Sequence, residues 1–266
     1  MISMSQYYIV ESEKKVVKKG IQYIVSKNPS KKLPLNLYFL FAGDAELELK
    51  ILEGILNKGY TVSRVWFVDI LYKHTDRQTD IVNKLKNIPY YKNNLTELDD
   101  VMLISIRHTT NLKYPNRITS ANMFKIDNKI SNVIFLRDFS QLTALMENYI
   151  DTNEKHIAFA IHHQAIGEGA GEKIGTFYKM YFTKFNKPIV FMWRQYPYIA
   201  VVEPHPESKN LSSKDVLNYA NTKQRELMYG NEDNIERYTY KGISYPVRIG
   251  KKGGRYILVN DKKIYL

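Results

Sequence analysis

Gly43, Asp44, Glu46, Glu48 and Asp69 are the residues whose types and spacing first suggest chemistry. Gly43 ends the apolar run "LNLYFLFAG", and the three carboxylates follow it almost at once. A glycine between a strand and a helix lets backbone amides approach a ligand. Asp69 closes the next apolar run, "VSRVWFVD", where an acidic side chain can take ribose hydroxyls. The three-glycine dinucleotide pattern is absent, because Asp44 and Ala45 follow Gly43. Asp44, Glu46 and Glu48 would repel a pyrophosphate. The loop therefore suits a ligand that lacks phosphate and carries positive charge, with Gly43, Asp44, Glu46 and Asp69 as contacts. S-adenosylmethionine has a sulfonium, an amino group and a ribose, and meets that description. The plain alternative is that Gly43 turns the chain and the acids favour a helix start through its dipole.

Other constellations carry less chemistry. "GEGAGEKIG" (Gly167–Gly175) invites a phosphate-loop reading, but Glu172 and Ile174 flank Lys173, where that loop needs Gly before and Ser or Thr after. His162 and His163 are adjacent on a strand-like run, so they point to opposite faces and cannot easily share a metal. The chain has no cysteine, which excludes disulfides and thiolate metal sites and fits a reducing compartment. No metal is expected.

These residues need elements to position them. Seven strand-like runs cover 37–43, 63–70, 101–107, 133–138, 156–162, 188–194 and 198–203. Most are continuously apolar, as in "VMLISI" and "IAFAI", the signature of strands buried on both faces of a parallel sheet. Helical patterns lie between them at 45–58, 77–88, 139–151, 172–186 and 212–229. Asp44 can cap the first of these and Gly59 can end it. The alternation predicts an α/β fold of three layers, Rossmann-like, with a mostly parallel seven-stranded sheet. "QYP" (Gln195–Pro197) is so short a link that the last two strands must be antiparallel. Residues 109–131 read as a long polar connection.

The net charge of +12 over 266 residues is carried by the ends. Residues 1–33 hold seven lysines and two glutamates, and residues 237–266 hold eight Lys/Arg and one Asp, so the middle is net neutral. Such ends suit an anionic partner, nucleic acid or an acidic protein surface. No apolar run approaches the roughly 18 residues of a membrane span, and no signal-peptide pattern opens the chain; the expectation is a protein that is not secreted and has no membrane partner. The segments are 1–34, basic; 35–230, the Rossmann-like domain; and 237–266, a small C-terminal β module. In that module "RYTYKG", "SYPVRIG" and "RYILVNDKKIYL" read as strands and "KKGG" and "ND" as turns. Arg248, Lys251, Lys252, Arg255, Lys262 and Lys263 are expected on one exposed basic face that binds nucleic acid.

Residues 35–203 resemble the class I methyltransferase family: a first strand ending at Gly43, a second ending at Asp69, seven strands and a final antiparallel pair. The resemblance implies an S-adenosylmethionine site at Gly43, Asp44, Glu46 and Asp69. It also implies a catalytic acid just past the fourth strand, read as "FLRDFS", hence Asp138. Messenger-RNA 2′-O-methyltransferases of the family use a Lys–Asp–Lys–Glu set, of which Asp138 and Glu203 fill two positions while His162 and His163 stand near the second lysine. "QYPY" (Gln195–Tyr198) partly resembles the family's Asn/Asp-Pro-Pro-aromatic turn. "GKKGGRYILVNDKKIYL" (Gly250–Leu266) resembles the basic adaptor domain of chlorella viruses and related large DNA viruses. That resemblance implies a viral protein in the host cytoplasm (viral factory) or the virion, with virion components among its possible partners. Two functions compete: a degenerate methyltransferase-like binding module, and an active methyltransferase acting on RNA or DNA.

Overall fold

All six residues of β1 (Leu35–Leu40) are buried, because the strand is central in its sheet and both faces of the sheet are covered. β2 (Val62–Val68) pairs with it in parallel on one side and β6 (Lys155–Ile161) on the other. β5 (Asn132–Leu136) continues the parallel sheet beyond β2, and β7 (Ile189–Met192) beyond β6. Numbered along the chain, the five parallel strands among the described residues lie in the order 3-2-1-4-5, the doubly wound arrangement. Antiparallel strands flank them: β8 (Ile199–Val202) on β7, and β4 (Asn122–Ile126) with β3 (Leu95–Glu97) beyond β5. This is a computed structural model, and it describes residues 4–92, 95–97, 122–126, 132–136, 138–149, 154–161, 170–193, 199–229, 237–249, 255–259 and 262–266.

The sheet thus has eight described strands rather than the expected seven. β4 arises inside the stretch read as a long polar connection. It is one strand from the edge, and Asn122 and Lys125 break up its apolar residues, so it leaves little apolar signal in a polar context. The apolar run 101–107 lies outside the described residues. The antiparallel β7–β8 pair forms as the short link requires.

The pleat divides the core between two layers. Leu35, Leu37 and Phe39 pack with the helices α1 (Met4–Lys27), α2 (Glu46–Leu56) and α3 (Thr75–Lys86). Tyr38 and Leu40 pack with α4 (Phe139–Tyr149), α5 (Ala170–Phe185) and the first turns of α6 (Ser213–Tyr229). α2 ends as expected at Gly59, whose φ is +78°: Tyr60 N–H donates to the Ile55 carbonyl and Gly59 N–H to that of Leu56. The basic N-terminal segment is largely helix. Val16 and Ile24 are fully buried on one side of α1, while Lys14, Lys15, Lys18 and Lys19 are exposed on the other. No helix among the described residues is long and apolar enough to cross a membrane.

The chain forms two compact units, Met1–Ala220 and Asn221–Leu266. The second holds the remainder of α6 and two small sheets. β9 (Arg237–Tyr240) and β10 (Ile243–Pro246) form a hairpin, closed by Lys241 and Gly242 at φ +48° and +77°, the left-handed pair of a type I′ turn. β11 (Arg248–Ile249), β12 (Arg255–Val259) and β13 (Lys262–Tyr265) form an antiparallel sheet.

Candidate functional site

The expected first loop is assembled. β1 and β2 run in parallel with Leu40 beside Val68, so Phe41–Gly43 and Asp69 leave the sheet side by side. The Gly43 amide donates to Asp69 Oδ2 at 3.0 Å, and the Leu71 amide donates to Asp69 Oδ1 at 2.8 Å. Asp69 therefore caps the 3-10 turn Ile70–Lys73 and clamps the β1 loop onto β2. A carboxylate offers about four lone-pair directions, so two remain for a ligand. The Gly43 amide, expected to face that ligand, is already engaged.

The loop backbone is unusual. Phe41, Gly43 and Ala45 have φ of +59°, +53° and +57°. For the two non-glycine residues this costs roughly 1–2 kcal/mol each. A Cβ on Gly43 would meet nothing within 4 Å, so backbone conformation and not packing demands glycine there. Ala45 holds the N-cap position of α2 without a side-chain bond, and the Asp44 carboxylate reaches the Glu46 amide only at 3.4 Å. Asp44 is exposed, and its carbonyl accepts from Lys84 Nζ at 3.3 Å. Glu46 is half-buried. Glu48 turns into the core, at 2% exposure. The Tyr72 phenol beside it is pushed well above its ordinary pKa by burial and by the charges of Glu48, Asp69 and Asp44.

The proposed catalytic pair is not brought together. Asp138 follows β5, the third parallel strand, which borders β2; the fourth-strand position beside β1 belongs to β6. Its Oδ1 accepts from the Gln141 amide at 3.0 Å, making it the N-cap of α4, and its Oδ2 lies 3.7 Å from Lys173 Nζ of α5. Glu203 follows β8, whose Val202 pairs with Ile189 at the start of β7. Since β8 runs backwards, Glu203 lies at the N-terminal ends of the parallel strands and Asp138 beyond their C-terminal ends. A five-residue strand spans roughly 16 Å, far more than two groups acting on one atom can bridge.

His162, His163, Gly167 and Gln195–Tyr198 lie outside the described residues. Gly175, the last glycine of the loop-like motif, sits within α5. A Cβ there would collide with the backbone carbonyl of Ser213, so it is a packing glycine.

A buried polar network not anticipated from sequence lies at the opposite end of the sheet. Glu154 Oε2 accepts from Arg64 and from Asn36 Nδ2, each at 2.6 Å, and Asn36 Oδ1 accepts from Trp66 Nε1 at 2.7 Å. Tyr38, stacked on Trp66, bonds His156 Nδ1 at 2.9 Å. The available signal was a polar residue opening each of three apolar runs: Asn36, Arg64 and Glu154.

In the tail, the β12–β13 register separates the expected basic face. Tyr256 pairs with Tyr265 and with position 248, and position 258 pairs with Lys263. Positions 255, 257, 259 and 262 fall on the other side, where Ile257 is fully buried. Positions 248 and 263 thus share the tyrosine face, while 255 and 262 do not, because neighbouring residues of a strand must alternate. Lys263 Nζ lies 4.8 Å from the centre of the Tyr256 ring, and Tyr256 lies 5.9 Å from Tyr265. Arg255 and Lys263 are exposed, as is Tyr265. Lys251 and Lys252 lie outside the described residues.

Among the described residues no group of three or more His, Asp or Glu side chains could hold a metal ion. No protein-family model, curated protein or solved structure matches the chain.

Proposed function

We propose that this chain is a binding module: a methyltransferase-like body without transferase activity, joined to a basic β module that contacts nucleic acid. The observation carrying this reading is the separation of Asp138 and Glu203 to opposite ends of the sheet. Asp138 also has a structural use, as a helix cap paired with Lys173. The engaged Gly43 amide argues in the same direction. For the tail, the support is seven net positive charges in thirty residues, with lysine and exposed tyrosine interleaved on one face. The setting of the proposal, a large DNA virus and its factory or virion, comes from the tail's resemblance to the viral basic adaptor domain.

The alternative, an active S-adenosylmethionine-dependent enzyme acting on RNA or DNA, is favoured by one observation. Gly43 and Asp69 meet at the ends of adjacent parallel strands, and Asp69 keeps acceptor capacity for ribose hydroxyls. Calorimetry separates the two. The binding-module reading expects no heat with millimolar S-adenosylmethionine or S-adenosylhomocysteine, and saturable binding of a labelled oligonucleotide that weakens steeply with salt, as counterion release requires. Stoichiometric cofactor binding would favour the enzyme instead. Oligonucleotide binding that persists unchanged in a chain ending at residue 236 would remove the tail from the proposal.

A further inference from the structure

A cleft of about 310 Å³ opens at the N-terminal ends of β6 and β7, at the far end of the sheet from Gly43 and Asp69. Three lysines from three separate elements line it: Lys27 from the end of α1, Lys155 from the start of β6, and Lys187 from the link between α5 and β7. Asn186 contributes an amide, and Tyr23, Ile157 and Pro188 supply apolar wall. The remaining titratable groups are the Tyr23 phenol, His156, buried and bonded to Tyr38, and Glu203. Among the described residues, no carboxylate lies within ion-pair distance of any of the three lysines.

Helix C-termini favour lysines, which accounts for Lys27 and Lys187 individually. It does not account for their convergence with Lys155. The Lys155 ammonium is pulled below its ordinary pKa first by burial and then by the charges of Lys187 and Lys27. Mutual repulsion in a walled cleft is relieved by a bound anion. Glu203 is a single carboxylate against three lysines in the lining; its charge, after burial, raises the Tyr23 phenol on the same wall.

We infer that this cleft is a binding site for a phosphate group, held by Lys27, Lys155 and Lys187, with Tyr23, Ile157 and Pro188 against the organic remainder of the ligand. Its volume sits at the lower end for small-molecule pockets, so it admits a terminal phosphomonoester and excludes a duplex. The source is either a free phosphorylated small molecule or the phosphorylated end of a nucleic acid strand. The site shares no residue with the tail, so it stands whether or not the tail binds nucleic acid.

The test uses the full chain. Isothermal titration with inorganic phosphate and pyrophosphate should show saturable binding to one site. Sodium chloride at matched ionic strength should show none, which separates a site from general screening of repelling lysines. Lys155→Gln and, independently, Lys187→Gln should each weaken binding about tenfold or more, the scale of one lost hydrogen bond to a charged group. Lys187 lies in a link, so its variant keeps the test valid if Lys155→Gln fails to fold. Competition by glycerol phosphate identifies a small-molecule source. Competition by a 5′-phosphorylated oligonucleotide, but not by its unphosphorylated twin, identifies a strand end. Thermal stabilisation equal in phosphate and chloride, or unchanged affinity in both variants, overturns the proposal.

Discussion

The carboxylate of Glu154 accepts from both Arg64 and Asn36, and the ion pair is only 10% and 7% exposed. Removing one member of such a pair leaves the other charged and uncompensated. Glu154→Ala should therefore cost ~3–5 kcal/mol. Replacing both members, Arg64→Met with Glu154→Leu, should recover most of that loss, read by urea unfolding as a double-mutant cycle. A second prediction concerns alkaline pH. Burial pushes the phenols of Tyr38, Tyr72, Tyr178 and Tyr181 upward from their usual value of about 10. The folded-state pKa lies above the unfolded one, so stability is fully present below about pH 10 and falls as pH rises further. Phenolate absorbance should rise in two stages, exposed tyrosines first and the buried four only together with loss of circular dichroism. A single smooth titration near pH 10, with the fold intact, would contradict it. At this scale the Gly43–Asp69 contact was legible, because both residues end successive apolar runs that a crossover helix makes adjacent and parallel. The direction of Glu48 was not legible, since a one-residue difference in helical phase decides between loop and core.

Helices α5 and α6 approach each other at Gly175, where an added methyl group would meet the Ser213 carbonyl. A backbone atom cannot swing aside as a side-chain tip can. Gly175→Ala should destabilise by ~1–3 kcal/mol, against a helix-propensity gain of about 1 kcal/mol. A variant at least as stable as the parent in thermal unfolding would show that the helices separate freely. Most elements could be read from periodicity, because the central strands are continuously apolar and the amphipathic helices are bounded by glycine or polar caps. α1 escaped because its many lysines dominate its composition, while its buried residues recur only once per turn at Val16, Gly20 and Ile24. Strand order escaped for a different reason: local pattern does not encode which neighbour a strand chooses. Asp138 takes the fourth position in sequence because 101–107, which lies outside the described residues, counts as the third run; the strand beside β1 is the later one starting at Lys155.

The whole molecule divides within α6, at Ala220, and not at the tail's first strand. A chain ending at residue 236 keeps all of α6. It should unfold cooperatively with a midpoint close to that of the full protein, because the cores on both sheet faces are built upstream of residue 221. Removal of α6 itself should be damaging, since Val216, Leu217 and Ala220 complete one of those cores. Scanning calorimetry of the two truncations checks this, and equal midpoints for both would contradict it. The division of charge was legible at this scale. The single basic face was not, because it depended on a strand register that consecutive lysines cannot satisfy.

The placement of β1 has a further consequence, for synthesis on the ribosome. One of its neighbours, β2, is complete by Val68, but the other, β6, is complete only at Ile161. At about 5–20 residues per second, close to 5–20 s separate those two events. Throughout that interval the nascent chain carries a largely apolar strand with one unpaired edge, the kind of template on which another chain can pair. Slowed translation between codons 69 and 161 should lengthen the exposure and raise the insoluble fraction, while the same slowing after residue 203 should not.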